Sequence, residues 1–255
     1  MPDKPPAASP AQVRGASPQG ATDPESASRA VREMFTSIAP RYDLLNHLLS
    51  ANVDKLWWHR TARTFRVILS GPAATVLDLC CGTGDMALAL RKQSSDARIM
   101  GADFSHAMLT RASAKTPAGC PITWIEADAL RLPFKENSFD LVTSAFGFRN
   151  LADYDAGLRE IFRVLRPGGQ CGILDFSEPG GLIGKIYNLY FKSVLPRIGR
   201  LVSGNERAYA YLPASVKRFP SPPELIGRMQ QAGFQETSWT PYTFSIAGLF
   251  RGKKG

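Results

Sequence analysis

Residues 76–85 read Val-Leu-Asp-Leu-Cys-Cys-Gly-Thr-Gly-Asp. The apolar start of this stretch is typical of a buried strand, and Gly82 and Gly84 permit a tight turn whose backbone can approach a ligand. Asp103 follows 19 positions after Gly84, at the end of the next apolar run. A carboxylate at that place can accept both hydroxyls of a ribose. The stretch therefore predicts a strand, a ligand-binding turn and a helix.

The glycine turn is compatible with two ligands. Residues 82–87 also satisfy the G-x-G-x-x-G/A pattern of NAD-binding folds, so the motif alone is ambiguous. Asp78 just before the turn suits a cationic amino-acid moiety, and Asp85 places a carboxylate where a pyrophosphate would be repelled. These two residues favour S-adenosylmethionine. An NAD-dependent oxidoreductase stays the alternative, although the sequence offers no substrate domain with a positioned acid or base.

Short apolar, branched runs predict a doubly wound, mostly parallel α/β sheet. Five of them are separated by segments long enough for crossover helices, namely 75–79, 98–102, 122–127, 139–145 and 170–176. An amphipathic helix is predicted over 153–165, ended by Pro167-Gly168-Gly169, and another over 223–232. Two last runs, 237–244 and 245–250, predict an antiparallel edge pair, which gives seven strands in all.

The domain organisation follows from composition. Residues 1–28 are rich in Pro, Ala and Ser and are predicted to be a disordered tail, and residues 29–255 are predicted to form one domain. Within it, 29–70 reads as a helical cap and 182–220 as an insertion or lid. Neither a targeting segment nor an apolar run of 18 residues is present. We therefore expect a cytoplasmic protein, which can also associate with the inner face of the membrane.

The net charge of +9 indicates an anionic partner. Residues 182–220 contain seven basic residues and one acid, and a row of apolar side chains falls there at helical spacing: Ile183, Ile186, Tyr187, Tyr190 and Val194. This pattern fits a lid over an isoprenoid or an interfacial helix, and a core helix equally well. Stacking aromatic residues do not accompany the basic ones, so nucleic acid is not expected. The four cysteines lack metal-ligand spacing, and no metal is expected.

Several segments resemble one enzyme family over the whole stretch from about Val31 to the C-terminus. They are FTSIAPRYDLLN at 35–46, the glycine turn, FGFRN at 146–150, RVLRPGGQCGILDFS at 163–177, LPRIG at 195–199 and YAYLPASVKRFP at 209–220. The chain resembles the ubiquinone/menaquinone biosynthesis C-methyltransferases, the UbiE/MenG group of Rossmann-like class I methyltransferases. FGFRN and YLPASVKRFP are much narrower signals than the glycine turn, which methyltransferases in general share.

The resemblance implies C-methylation of a polyprenylated quinol with S-adenosylmethionine. Demethylmenaquinol is the first expectation for the acceptor, and the methoxybenzoquinol of ubiquinone biosynthesis is the near alternative. The implied partners are this quinol and, transiently, a membrane surface, and self-association stays open. The implied donor-site residues are Thr83 with Gly82 and Gly84 for the methionine part, Asp103 for the ribose, and Asp128 with Ala129 for the adenine.

At the methyl-transfer face the resemblance implies Tyr42, Arg149 and Asn150. A guanidinium is too basic to accept a proton readily, so Arg149 is expected to stabilise a developing phenolate by charge while water takes the proton. A solvated surface arginine is the alternative for Arg149. For Asp128 the alternative is an ordinary turn-forming aspartate.

Overall fold

The computed structural model describes residues 15–16, 18, 20–43, 50, 52–181, 184–185, 189 and 206–255. Within them, seven strands form one sheet in the order β3-β2-β1-β4-β5-β7-β6. The first five are parallel, and β7 runs antiparallel to both β5 and β6. The strands are β1 Thr75–Leu79, β2 Arg98–Asp103, β3 Ile122–Glu126, β4 Phe139–Ala145, β5 Leu165–Phe176, β6 Phe234–Tyr242 and β7 Ala247–Lys254. The predicted fold class is confirmed.

Eight α-helices occur in the described residues, with short 3-10 turns at Ala39–Arg41 and Phe148–Asn150. They are α1 Pro24–Ile38, α2 Val53–Thr64, α3 Arg66–Leu69, α4 Asp85–Arg91, α5 His106–Lys115, α6 Tyr154–Val164, α7 Glu206–Arg218 and α8 Pro222–Gln231. None of the described helices is long and apolar enough to cross a bilayer.

The first helix begins earlier than the predicted domain boundary. Asp23 caps α1 by accepting the backbone N–H of Ser26 at 2.8 Å, and the Ser26 hydroxyl completes the capping box. Upstream, the backbone N–H of Ala16 donates to the carbonyl of Leu151 at 2.7 Å, and Ala16 is buried. The prediction of a disordered tail up to residue 28 is therefore wrong for 15–16 and 24–28, because a local cap and a contact to the domain offset the cost of ordering.

Two apolar layers cover the sheet, since alternate strand residues point to opposite faces. On one face, α2, α3 and α4 pack through residues such as Trp57, Phe65 and Leu90. On the other face, α6 and α8 pack through residues such as Leu158 and Met229. The helix predicted over 153–165 is confirmed as α6, capped by Asp153, whose carboxylate accepts the N–H of Ala156 at 2.9 Å.

Two boundaries differ from prediction. Strand β5 starts at Leu165, directly after α6, and the predicted Pro-Gly-Gly turn lies inside the strand as an irregularity in its register with β4. The edge pair is β6 and β7, joined by a turn at residues 243–246. In the predicted insertion 182–220, the apolar row from Ile183 to Val194 lies outside the described residues.

Candidate active site

A cavity of about 660 Å³, counted with its opening to solvent, lies at the carboxyl ends of β1 and β4. The sheet order runs from β1 to β2 on one side and to β4 on the other, and ligands of such sheets bind at this switch point. The cavity brings together six of the residues singled out in the sequence: Tyr42, Gly82, Asp103, Asp128, Ala129 and Asn150. Thr83, Gly84, Asp78 and Arg149 are not part of its wall.

The ends of the two central strands approach each other closely at the cavity. A Cβ added to Gly147 would lie 2.4 Å from the Cβ of Cys80, so only glycine fits there. Cys80 and Phe146 both adopt left-handed backbone angles, with φ of 53° and 57°, and both line the cavity. Such angles are unfavourable for non-glycine residues and cluster at ligand sites. The close approach of Cys80 and Gly147 therefore shapes the floor of the cavity.

Asp103 holds the glycine turn from the neighbouring strand. Its Oδ2 accepts the backbone N–H of Gly82 at 2.8 Å, and its Oδ1 accepts that of Ser105 at 2.9 Å. Burial raises the pKa of Asp103 to about 6, against the lowering effect of these two N–H groups. Each carboxylate oxygen has a second lone pair, so Asp103 can still accept the two hydroxyls of a ribose.

Asp128 and Ala129, just after β3, form another part of the cavity wall. The Oδ1 of Asp128 accepts the N–H of Leu130 at 2.9 Å, which is the turn-forming role that the sequence left as an alternative. Asp128 is nevertheless exposed and lines the cavity, next to the apolar side chains of Met108 and Leu130. The local arrangement suits a flat aromatic base with a donor group at its edge.

Thr83, inside the glycine turn, is buried and contacts a cluster that the sequence did not reveal. Its hydroxyl donates to the carboxylate of Asp43 and accepts from Nζ of Lys115 at 3.0 Å. The same Nζ lies 3.1 Å from Oδ2 of Asp43 and 2.8 Å from Oδ1 of Asp85. The cluster joins the N-terminal cap, the glycine turn and α5. These partners are distant in sequence, so no local pattern could have identified Lys115.

Asp78 does not reach the cavity. It is fully buried, and its Oδ1 accepts the hydroxyl of Thr143 on β4 at 2.9 Å. Burial raises the pKa of Asp78 to about 7. The expectation that Asp78 binds a cationic amino-acid group is therefore not supported by its position, because its side chain faces the neighbouring strand.

Arg149 is also buried, with 5% of its side chain exposed. Its guanidinium pairs with Oδ1 of Asp175 at 3.0 Å, donates to the carbonyl of Phe146 and lies 5.2 Å from the ring centroid of Phe176. Its backbone N–H donates to Oδ2 of Asp175 at 3.1 Å. The alternative of a solvated arginine is wrong. Burial disfavours the charged form and is the largest single influence, but the Asp175 carboxylate together with Tyr42 and Tyr211 more than offsets it, so the pKa of Arg149 is raised.

Asn150 presents its amide to the cavity from the end of the 3-10 turn. Its Oδ1 accepts the hydroxyl of Tyr211, on α7, at 3.1 Å. Burial raises the pKa of Tyr211 to about 12, so this hydroxyl stays a donor. Tyr211 lies in the YAYLPASVKRFP segment, which the sequence marked as a family signal without giving this residue a role.

The charge of the cavity distinguishes between the two ligands left open by the glycine motif. Its wall carries the carboxylates of Asp103 and Asp128, and no Lys, Arg or His is among the described residues that line it. A pyrophosphate would meet two carboxylates and no cation, whereas a sulfonium with a nucleoside is compatible with both. S-adenosylmethionine therefore fits the residues present. In the described parts of the chain, no three His, Cys, Asp or Glu side chains are grouped as metal ligands.

The fold and this cavity define a class I S-adenosylmethionine-dependent methyltransferase, with S-adenosylmethionine as the methyl donor. Residues 23–254 match the model of the ubiE/COQ5 methyltransferase family, and the chain belongs to that family. The resemblance found in the sequence is confirmed, and the oxidoreductase alternative is wrong.

Three relatives illustrate the match. The demethylmenaquinone methyltransferase of Deinococcus radiodurans is 49% identical, over 91% of this chain and 95% of that protein. Its namesake in Thermus thermophilus is 47% identical, over 87% of this chain and 100% of that protein. The ubiquinone/menaquinone biosynthesis C-methyltransferase UbiE of Geobacter sulfurreducens is 44% identical, over 88% of each.

Solved structures agree in fold at low sequence identity. The [4+2]-cyclase SpnF has a TM-score of 0.65 at 16% identity and covers 89% of this chain and 96% of its own. A S-adenosylmethionine-dependent methyltransferase of Thermotoga maritima has a TM-score of 0.60 at 19% identity, over 88% of this chain and 100% of its own. These similarities support the fold alone.

Proposed function

We propose that the chain methylates a ring carbon of a polyprenylated quinol, with demethylmenaquinol as the acceptor and menaquinol and S-adenosylhomocysteine as products. The observation that carries this proposal is the identity of 47–49% to two proteins named demethylmenaquinone methyltransferase. The cavity supports it, because it pairs a carboxylate-lined side with a side built from aromatic rings and an amide.

The donor side of the cavity is formed by residues around the glycine turn. When bound, S-adenosylmethionine supplies an electrophilic methyl group on a cationic sulfur. Asp103 is placed to accept the ribose hydroxyls, and Asp128 with Ala129 to contact the adenine. Gly82 lets the backbone approach the ligand. Among the described residues, a Cβ added there would have only Tyr42 within 4 Å, at 3.8 Å, so it would project into the open cavity where the ligand binds. For Thr83 we propose an indirect role, which is to hold this turn through Lys115 and Asp43.

The acceptor side contains Tyr42 and Asn150. The amide of Asn150 has a fixed orientation, because its Oδ1 accepts from Tyr211 and its Nδ2 donates to the carbonyl of Phe146 at 3.4 Å. Its remaining N–H can orient an oxygen of the quinol ring. Arg149 adds positive charge from behind this wall, which favours the phenolate, although Asp175 offsets part of it. We assign Arg149 a positioning and electrostatic role. None of the described residues lining the cavity is a His or Lys, so water is the proposed proton acceptor.

The benzoquinol of ubiquinone biosynthesis is the second candidate acceptor, because the Geobacter sulfurreducens relative bears both pathway names. Both acceptors carry a polyprenyl chain and partition into membranes. We therefore propose that the protein works from the cytoplasmic side at a membrane surface, which its net charge of +9 favours.

Transfer of a labelled methyl group from S-adenosylmethionine tests the proposal, with each reduced acceptor supplied separately in detergent. Transfer to demethylmenaquinol alone supports the first candidate, and transfer to both means a dual role. Asp103→Ala serves as the control, because it should weaken binding of S-adenosylhomocysteine and abolish transfer. Donor binding without transfer to either quinol would overturn the proposed acceptor class.

A further inference from the structure

The exposed side of α2 and α3 combines apolar and cationic side chains. Leu56, Arg60 and Arg63 follow one another at helical spacing on α2, and Val67 extends the row into α3. Leu56 is 60% exposed and Val67 is 85% exposed. Large aliphatic side chains that protrude this far beside arginines are typical of surfaces that meet a lipid headgroup region.

Within residues 52–70 the exposed charges have one sign. Lys55, Arg60, Arg63 and Arg66 are all exposed, and the only acid between residues 52 and 70 is Asp54, which is buried. A second copy of the chain would present the same four cations and repel the first. An anionic surface is complementary to it.

The turn between β6 and β7 adds an aromatic ring to the same side. Trp57 on α2 donates through Nε1 to the hydroxyl of Thr243 at 2.8 Å, and the guanidinium of Arg60 lies 4.3 Å from the ring centroid of Tyr242. These contacts place the turn beside α2. Phe244, the residue after Thr243 in this turn, is 75% exposed and has a φ of 54°. A strained backbone that presents an aromatic ring to solvent is a costly arrangement in water.

Aromatic rings connect this side with the cavity. The ring of Trp57 lies 5.7 Å from that of Phe146, which lines the cavity, and 6.1 Å from that of Phe176. A packed row of aromatic rings therefore links Trp57, beside the turn at Thr243, with Phe146 in the cavity wall.

We propose that the surface formed by Leu56, Arg60, Arg63, Arg66, Val67 and Phe244, called here the α2–α3 face, docks on an anionic lipid bilayer. The arginines contact the headgroups, and Phe244 with the two aliphatic side chains enters the boundary with the acyl chains. The proposal rests on the proposed function, because docking on a bilayer serves this enzyme only when its acceptor is a polyprenylated molecule dissolved in that bilayer. Nucleic acid is less suited, since it would leave the three apolar side chains in water.

Flotation of the full chain with vesicles tests the docking face. Vesicles of phosphatidylcholine alone are compared with vesicles that also contain phosphatidylglycerol. We expect the anionic vesicles to bind the wild type at least roughly tenfold more tightly. Arg63→Glu/Arg66→Glu and, separately, Phe244→Asn should each weaken this binding by roughly tenfold or more. Asparagine is chosen because it tolerates the left-handed backbone of residue 244.

The matched control is Arg159→Glu, which reverses an exposed charge on α6, at the opposite face of the sheet, and should leave vesicle binding unchanged. Equal binding of the double-glutamate variant and the wild type to anionic vesicles would overturn the proposal. So would binding to duplex DNA that depends on Arg63 and Arg66 without any vesicle binding. Methyl transfer to detergent-dispersed quinol should be unaffected by Phe244→Asn, which separates a failed docking face from a failed acceptor assignment.

Discussion

Lys115, the last residue of α5, donates through Nζ to Oδ1 of Asp85, the first residue of α4, at 2.8 Å. This contact fixes the helix that follows the glycine turn against the helix that follows β2. Since Asp43 and Thr83 share the same ammonium group, one cation restrains the turn from two directions.

Replacing Lys115 by Met should therefore loosen the donor site. We expect the affinity for S-adenosylhomocysteine to fall about three- to tenfold, because a charged hydrogen-bond donor is lost from a half-buried cluster. Isothermal titration calorimetry measures this affinity, and the neutral thioether sulfur of S-adenosylhomocysteine avoids a direct Coulomb effect on a sulfonium. Lys135→Met, at an exposed position, is the control. An unchanged affinity in Lys115→Met would mean that the turn holds its shape without this cation.

Replacing Arg149 by Ala should leave the fully buried Asp175 without its counter-ion. We expect the free energy of unfolding to fall by about 3–5 kcal/mol, as measured by urea denaturation. The double variant Arg149→Leu/Asp175→Leu should regain part of this loss, because it removes both charges. Most turnover should disappear in Arg149→Ala while donor binding stays near normal. A large loss of donor affinity instead would place Arg149 in the donor site.

Tyr211→Phe should lower kcat by about tenfold with little change in donor affinity. The hydroxyl that fixes the amide of Asn150 is lost, so the acceptor ring is held less well. Tyr154→Phe is a matched control, because it also removes a buried hydroxyl, the one that donates to the carbonyl of Arg149 at 3.1 Å. Single-turnover rates separate the two variants, and equal loss of kcat in both would argue for a merely structural effect.

Stability should fall as the pH rises from about 4 to 7. The pKa of Asp78 is about 7 in the folded chain and near 3.8 when unfolded, so between these values the folded state binds more protons. The stabilisation that the protonated form of Asp78 supplies is complete below pH 3.8 and is lost as the pH rises through 7. Asp78→Asn should reduce the slope of unfolding free energy against pH by up to about 1.4 kcal/mol per unit. Asp103 contributes in the same direction.

The sheet was predictable because its strands are short apolar runs, and buried parallel strands carry that pattern whatever surrounds them. The grouping of several singled-out residues around one cavity was predictable in part. Gly82, Asp103 and Asp128 each lie at or just beyond the carboxyl end of one of three parallel strands. Those strand ends meet at one edge of the sheet, so the three residues were expected to line one site, and they do.

The direction in which a polar side chain points was not predictable. Asp78 faces Thr143, and Arg149 faces Asp175, because β1 and β5 each have β4 as a neighbour and the partners meet only after the sheet forms. The same holds for Lys115, whose partners lie 30 to 72 positions away. Local spacing contains no information on such pairs. The early start of α1 was predictable from the sequence, however, because Asp23, Pro24 and Ser26 form an ordinary helix N-terminus.

The position of β7 has a consequence for synthesis of the chain. In sequence it follows β6, but in the sheet it lies between β5 and β6 and supplies the only neighbour of β6 in the described sheet. While the chain emerges from the ribosome, β5 therefore keeps one open edge and β6 has nothing to pair with. Since unpaired strand edges recruit other chains, the nascent protein is exposed to aggregation until β7 is released.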